Sequence, residues 1–402
     1  MAGALPLTVL CGFDRPAVAD IGAGLLLTGE RLALIWVDPS TADQGHVQSR
    51  VTDSDGRCTE QSVAIEHGCL SCAMCEAVGT AVRALASTGR YDTVLIHLHP
   101  GVEADAAIEA MSTELAGTAA VDTVVLHLHS GWLNDLSGDA IMQSHGVAVA
   151  PDDDRSVAAV LAADLTAATV VVVPGGPATG MSAEEHATLA VLTPGATRLH
   201  PASSLDIDPE LIVRTGSFRG EQLDVFTPRG LLDPHPVLPE DGGTLRLVRW
   251  TSPRPLHPQR LHDRLDHLGD GVIRSLGHLW LATRPHRVVR WDSAGNCLFL
   301  GRAGLWTTRL PGAPAHPIQT RPSSAQRRHA RSHRHPVYGD RRSLLGFLGN
   351  DLDPEGICRV LDSCLLTDAE LAAGPTRWSA LRDPFPDWAD EHPTTNTGRG
   401  AA

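Results

Sequence analysis

Over roughly the first 200 residues, short apolar and β-branched runs alternate with alanine-rich stretches. Runs at 7–11, 32–37, 93–98, 123–128 and 169–173 have strand character, and 76–87, 105–115 and 155–168 have helical composition or spacing. That alternation predicts an α/β domain over 1–200, with a mostly parallel sheet covered by helices. Residues 201–243 are dense in Pro, Gly and Asp, including Asp233-Pro234-His235-Pro236, and read as a linker. A smaller α+β domain is predicted over 244–388. Its strand-like runs are 245–250, 272–282, 287–291, 298–300 and 343–348, and its helices are 258–268 and 354–365. Within it, 307–336 is rich in Pro, Arg and His and reads as a mobile surface insertion; the polar tail 389–402 reads as disordered.

Composition adds two exclusions. With 47 acidic against 33 basic residues the net charge is −14, which argues against coating nucleic acid or anionic membrane with the whole surface. No apolar run approaches the ~20 residues of a membrane span, and no cleavable leader is evident, so a cytoplasmic location without membrane contact is expected. All 33 basic residues are arginine. Chemistry that needs an ε-ammonium group is therefore absent.

The absence matters most at the first strand, which runs into Gly12-Phe13-Asp14-Arg15-Pro16-Ala17-Val18-Ala19, where a phosphate loop would begin. Such a loop needs free backbone amides, a lysine and a hydroxyl for magnesium. Here proline removes an amide, Val18 and Ala19 stand at the lysine and hydroxyl positions, and Asp14 adds negative charge.

The order of segments resembles the CobW-like subfamily of phosphate-loop GTPases, bacterial metal-handling proteins and metallochaperones. The resemblance rests on Arg254-Pro255-Leu256-His257-Pro258-Gln259-Arg260-Leu261, Arg274-Ser275-Leu276-Gly277 leading to Trp280-Leu281-Ala282, Gly304-Leu305-Trp306, Gly339-Asp340-Arg341 and Asp383-Pro384-Phe385-Pro386. It implies a GTPase-type parallel sheet followed by a CobW C-terminal domain. Against the family pattern, His97-Leu98-His99-Pro100 replaces Glu-Thr-Ser-Gly, and Pro174-Gly175-Gly176-Pro177 falls where the guanine-reading Asn-Lys-x-Asp would be. Bound GTP and magnesium, and GTP hydrolysis, are accordingly not expected.

The metal signal is His67-Gly68-Cys69-Leu70-Ser71-Cys72-Ala73-Met74-Cys75. Thiolates three apart on a turn entering a helix can converge on one zinc, with His67 as a nitrogen ligand; the alternative is that they are small buried residues. The resembled family carries Cys-x-Cys-Cys here as its metal centre; Cys69 and Cys72 match its outer positions, Ser71 replaces the middle one, and Cys75 follows one turn on. A second feature is the repeat of Asp92-Thr93-Val94-Leu95-Ile96-His97-Leu98-His99 in Asp122-Thr123-Val124-Val125-Leu126-His127-Leu128-His129. Period-two alternation places His97 and His99 on one face, and likewise His127 and His129. On adjacent strands the four imidazoles would converge as metal ligands, or as a hydrolytic zinc site; otherwise they fill a vacated pocket.

Arg327, Arg328, Arg331 and Arg334 crowd the insertion with hardly any acid, which suits RNA phosphates or an acidic partner, or simply a solvated loop. The resemblance implies a zinc-responsive binding protein with a degenerate nucleotide site. Its expected partner is a client protein or, under zinc limitation, the ribosome; the alternative is an active GTP-dependent metallochaperone.

Overall fold

The structure is a computed structural model that describes residues 4–65, 70–148, 153–173, 181–201, 203, 205, 207–235, 238, 243–310 and 321–387. His67, Cys69, the 174–177 turn and the 389–402 tail lie outside the described residues.

The first domain carries an eight-stranded sheet. Its elements are β1 (Leu5–Cys11), α1 (Arg15–Leu26), β2 (Leu32–Asp38), β3 (His46–Asp53), β4 (Cys58–Ala64), α2 (Leu70–Thr88), β5 (Thr93–His97), α3 (Ala104–Glu114), β6 (Ala119–His127), α4 (Trp132–Ser137), α5 (Val157–Ala167), β7 (Val170–Val172), α6 (Ala183–Leu192) and β8 (Thr197–Leu199). The order is β4-β3-β2-β5-β1-β6-β7-β8. All pairings from β2 to β8 are parallel, whereas β3 and β4 form an antiparallel hairpin on one edge. The mostly parallel sheet expected from the sequence is therefore present.

Alternation along β1 explains the two layers. Leu7, Val9 and Cys11 face the core shared with α2, α3 and α5, while Leu10 joins Leu95, Val125 and Val172 under Val18, Ile21 and Leu25 of α1. The hairpin escaped the sequence reading because β4 is polar and almost wholly exposed, without an apolar face to mark it.

The second domain is a five-stranded antiparallel sheet of order β12-β11-β10-β13-β9, from β9 (Leu245–Ser252), β10 (Val272–Leu279), β11 (Arg287–Ala294), β12 (Cys297–Leu305) and β13 (Ser343–Asn350). One face packs Val248, Trp250, Leu279 and Phe347 against Leu261 of α7 (Pro258–His262) and Leu361 of α9. The latter helix lies after α8 (Ser324–Ser332) and spans Pro354–Ser363. From the opposite face, Leu245, Ile273 and Leu348 enter the same hydrophobic core as Val157, Leu161 and Leu189 of the first domain. Polar contacts across the boundary add Arg290 to Asp105 at 3.3 Å and Asn350 to Glu184 at 2.6 Å.

The segment expected to act as a linker is packed. Phe218, Val225, Phe226, Leu231 and Leu232 are buried, and Gln222 donates to the Ala167 carbonyl at 2.6 Å. Within the arginine-rich insertion, α8 buries Ala325, Gln326 and His329; residues 311–320 lie outside the described residues. Asp340 and Arg341 clamp its base. Asp340 accepts from the amides and hydroxyls of Thr307 and Thr308, and Arg341 donates to the carbonyls of Pro285, Thr308 and Tyr338.

Packing of the central segment on the second sheet depends on a glycine. A Cβ on Gly346 would lie 2.2 Å from the Leu231 carbonyl oxygen, a backbone atom that cannot swing aside. Gly346→Ala is expected to lower stability by roughly 1–3 kcal/mol through this overlap, read as the shift of the urea midpoint. An unchanged midpoint would show that the segment does not rest on the sheet this way.

Candidate functional site

The carboxyl edge of the parallel sheet is where open α/β folds place ligands, and the β1–α1 turn lies at its centre. Gly12 has φ +139, and a Cβ there would stand 2.4 Å from the His127 carbonyl oxygen, so this close crossing requires glycine. Only Phe13 and Asp14 separate it from α1. The Asp14 carboxylate caps the helix by accepting from the Ala17 amide at 3.1 Å. The Val18 amide donates to the Asp14 carbonyl and the Arg15 amide to the Phe13 carbonyl, both at 3.0 Å. Pro16 has no amide. Every backbone donor at Arg15, Ala17 and Val18 is thus satisfied within the chain.

Phe13 is buried, its ring centroid 5.7 Å from that of His129 and 6.0 Å from that of His145. Asp135 on α4 holds both imidazoles, accepting from His129 at 2.6 Å and lying 3.3 Å from His145. Rings and a carboxylate therefore occupy the space beside the turn. Asp135 and His145 were not singled out from the sequence, and Phe13 was read only as a position in the altered loop; neither Asp135 nor His145 belongs to a motif, and His145 follows a loop whose path no periodicity announces.

The paired histidines take separate places. β1 lies between β5 and β6, and Leu10 pairs with His97 on one side and Val125 on the other, so His97 and His127 stand more than two strand spacings, over about 9–10 Å, apart in backbone terms. The four imidazoles do not meet on neighbouring strands. His97 is buried with Nε2 lacking a partner among the described residues, and burial first, then Arg15, pushes it down to about 4. His99 is likewise at about 4, from burial and then Arg15, and its Nδ1 accepts from the Gly101 amide at 3.0 Å, fixing the turn after β5. Burial also lowers His127, whose Nδ1, like that of His129, has no partner among the described residues.

Cys72 and Cys75 lie one turn apart at the start of α2, both partly buried. A small cavity brings Cys75 beside Met74, His97, His99, Met111 and Val37. Among the described residues no three His, Cys, Asp or Glu side chains stand in a ligating arrangement. The donor chemistry of Cys72 and Cys75 nevertheless fits a thiophilic cation. By contrast, burial raises the thiols of Cys11 and Cys364, which suits inert packing residues. No described helix is long and apolar enough to cross a membrane.

Residues 245–365 match the family described as Cobalamin synthesis protein cobW C-terminal domain. The "Zinc chaperone Rv0106" of Mycobacterium tuberculosis is 31% identical over 366 residues, 86% of each chain. The chain belongs to the CobW family. A more distant CobW relative, "Zinc-regulated GTPase metalloprotein activator 1" of Dictyostelium discoideum, is 25% identical over 417 residues, covering 95% of this chain and 84% of that protein. The crystal structure of Zn(II)-bound YjiA GTPase from E. coli covers 91% of this chain and 100% of its own, at 12% identity and a TM-score of 0.39.

The depressed histidines make the CobW fold acid-sensitive in a definite window. A folded-state value near 4 against an ordinary 6.5 leaves His97 and His99 neutral when folded while the unfolded chain takes up protons. The stability they contribute is complete above about 6.5 and is lost as pH falls towards 4. His97→Gln should reduce the loss of unfolding free energy between pH 7 and 5 by on the order of 1–2 kcal/mol, as measured by urea titration. An identical acid limb in the variant would contradict the burial argument.

Proposed function

We propose that this CobW-family protein binds zinc as cargo or signal without turning over GTP, and that it acts by docking on a partner. The observation that carries the first part is the β1–α1 turn, where the Arg15, Ala17 and Val18 amides already donate to Phe13 and Asp14 and Pro16 has no amide to offer. A triphosphate finds none of those three donors free, and no lysine exists to bridge its phosphates. Support for zinc comes from the name of the mycobacterial relative and from soft donors at Cys72 and Cys75. Cys69 and His67 are the remaining ligands of this reading. His97, at the cavity beside Cys75, is a further candidate.

The docking surface of this reading is α8. Arg327 and Arg331 stand four residues apart on the helix and Arg334 two residues beyond its end, all exposed, while Arg328 is drawn aside by Glu221. Such a stripe suits RNA phosphates, as on a ribosome, or an acidic client protein. The competing reading, a GTP-driven metallochaperone, is favoured by the name of the Dictyostelium relative.

Two measurements separate these readings. Metal analysis of purified protein should give zinc in the wild type and a loss of it in the Cys72→Ser, Cys75→Ser double variant; a wild type that takes up no zinc ends the cargo reading. Titration with GTP and magnesium should show no saturable binding at tens of micromolar, and micromolar affinity with magnesium-dependent turnover would favour the metallochaperone.

A further inference from the structure

In a chain with 14 more acidic than basic residues, two partly buried arginines of the second sheet make no ion pair with a described carboxylate. Arg249 lies on β9, and Arg342 immediately precedes β13, the strand paired with it. Arg249 stands opposite Gly346 in the ladder, and 342, 344 and 346 share one face by alternation, so both arginines issue from the same side of the sheet. The Nε of each guanidinium is buried and has no hydrogen-bond partner among the described residues.

The neighbouring Arg341 shows that this is not how the fold treats arginine in general. It is more deeply buried, yet its nitrogens are met by the carbonyls of Pro285, Thr308 and Tyr338. For Arg249 and Arg342, burial is the main cause holding each guanidinium below its usual range, and Arg249 acts on Arg342 as a like charge. The groups facing them are His333 at the end of α8, on which both act as cations, and His278 and His329, on which Arg342 does. Asp233 is the acidic group acting on Arg249; Asp340 is committed to Thr307 and Thr308. Two partly desolvated cations beside an imidazole, with buried Nε donors that no described group meets, cost stability unless an anion joins them.

We propose that Arg249, Arg342 and His333 form a binding site for a phosphate group, where strands β9 and β13 meet the C-terminal end of α8. Guanidinium forks match phosphate oxygens in a bidentate way, and the unpartnered Nε donors are the atoms such a fork uses. The site lies on the second domain's sheet, away from the β1–α1 turn, and stands whether or not zinc binds the cysteines. The phosphate comes either from a free phosphate compound or from an RNA backbone, for which Arg331 in the last turn of α8 and Arg334 just past it lie exposed.

The test is calorimetric titration of the full chain with inorganic pyrophosphate and, separately, with a 12-nucleotide oligouridylate. Variants are Arg249→Gln and Arg342→Gln, with Arg246→Gln as control, an exposed arginine of the same strand that bonds only backbone carbonyls. Each of the first two should weaken binding about ten- to a hundredfold, the scale of one charge-assisted hydrogen bond, with Arg246→Gln near wild type. Pyrophosphate binding lost in the variants assigns a free phosphate ligand; loss confined to the oligonucleotide, with a shallower salt dependence, assigns the RNA backbone. Thermal unfolding guards against misfolding, because pyrophosphate or the oligonucleotide should raise the wild-type midpoint more than that of either variant. Failure of both probes to bind the wild type, or equal weakening by Arg246→Gln, overturns the site.

Discussion

The closure of the β1–α1 turn governs the first domain. Gly12 passes against the backbone of β6 with no room for a side chain, and Asp14 then starts the helix at once by taking the Ala17 amide. A phosphate loop works by leaving its amides unmet so that a ligand must meet them. Here the chain supplies its own acceptors, and the helix dipole is answered by an internal carboxylate. What remains is a parallel sheet whose central ligand position is filled by Phe13, His129 and His145, with Asp135 orienting both imidazoles.

That filling has consequences on both sides. Towards β5, His97 and His99 are held neutral by burial, beside a cavity that reaches Cys75 on α2. At physiological pH both imidazoles are therefore unprotonated, and the desolvation that keeps them so is what costs stability in acid. Towards the second domain, α3, α5 and α6 carry the apolar and charged contacts that join the two sheets. The domains share one core, so the 218–232 segment threads between them as structure and not as a tether.

The same segment links the two domains to α8. Glu221 receives Ser324 and Arg328, while Phe226 packs its ring 4.8 Å from that of His329. The arginines of α8 are therefore displayed from a seated helix, with one face buried and the other basic. Exposed side chains fixed at helical spacing lose less entropy on meeting a polyanion than those of a free loop.

Sequence alone determined the alternation that makes a parallel sheet, the smaller α+β second domain, the missing lysine and the thiol cluster, because each is written in residue type or in periods of two and 3.6. It also placed Asp340 and Arg341 in a family motif. Tertiary structure decided which strands are neighbours, and so separated His97 from His127 by inserting β1 between them. It also decided that Phe13 and His145 meet across the turn and that Arg249 and Arg342 rise from one face of the second sheet. Strand order and close approach arise from long-range packing, which joins residues tens or hundreds apart and leaves no local period to read.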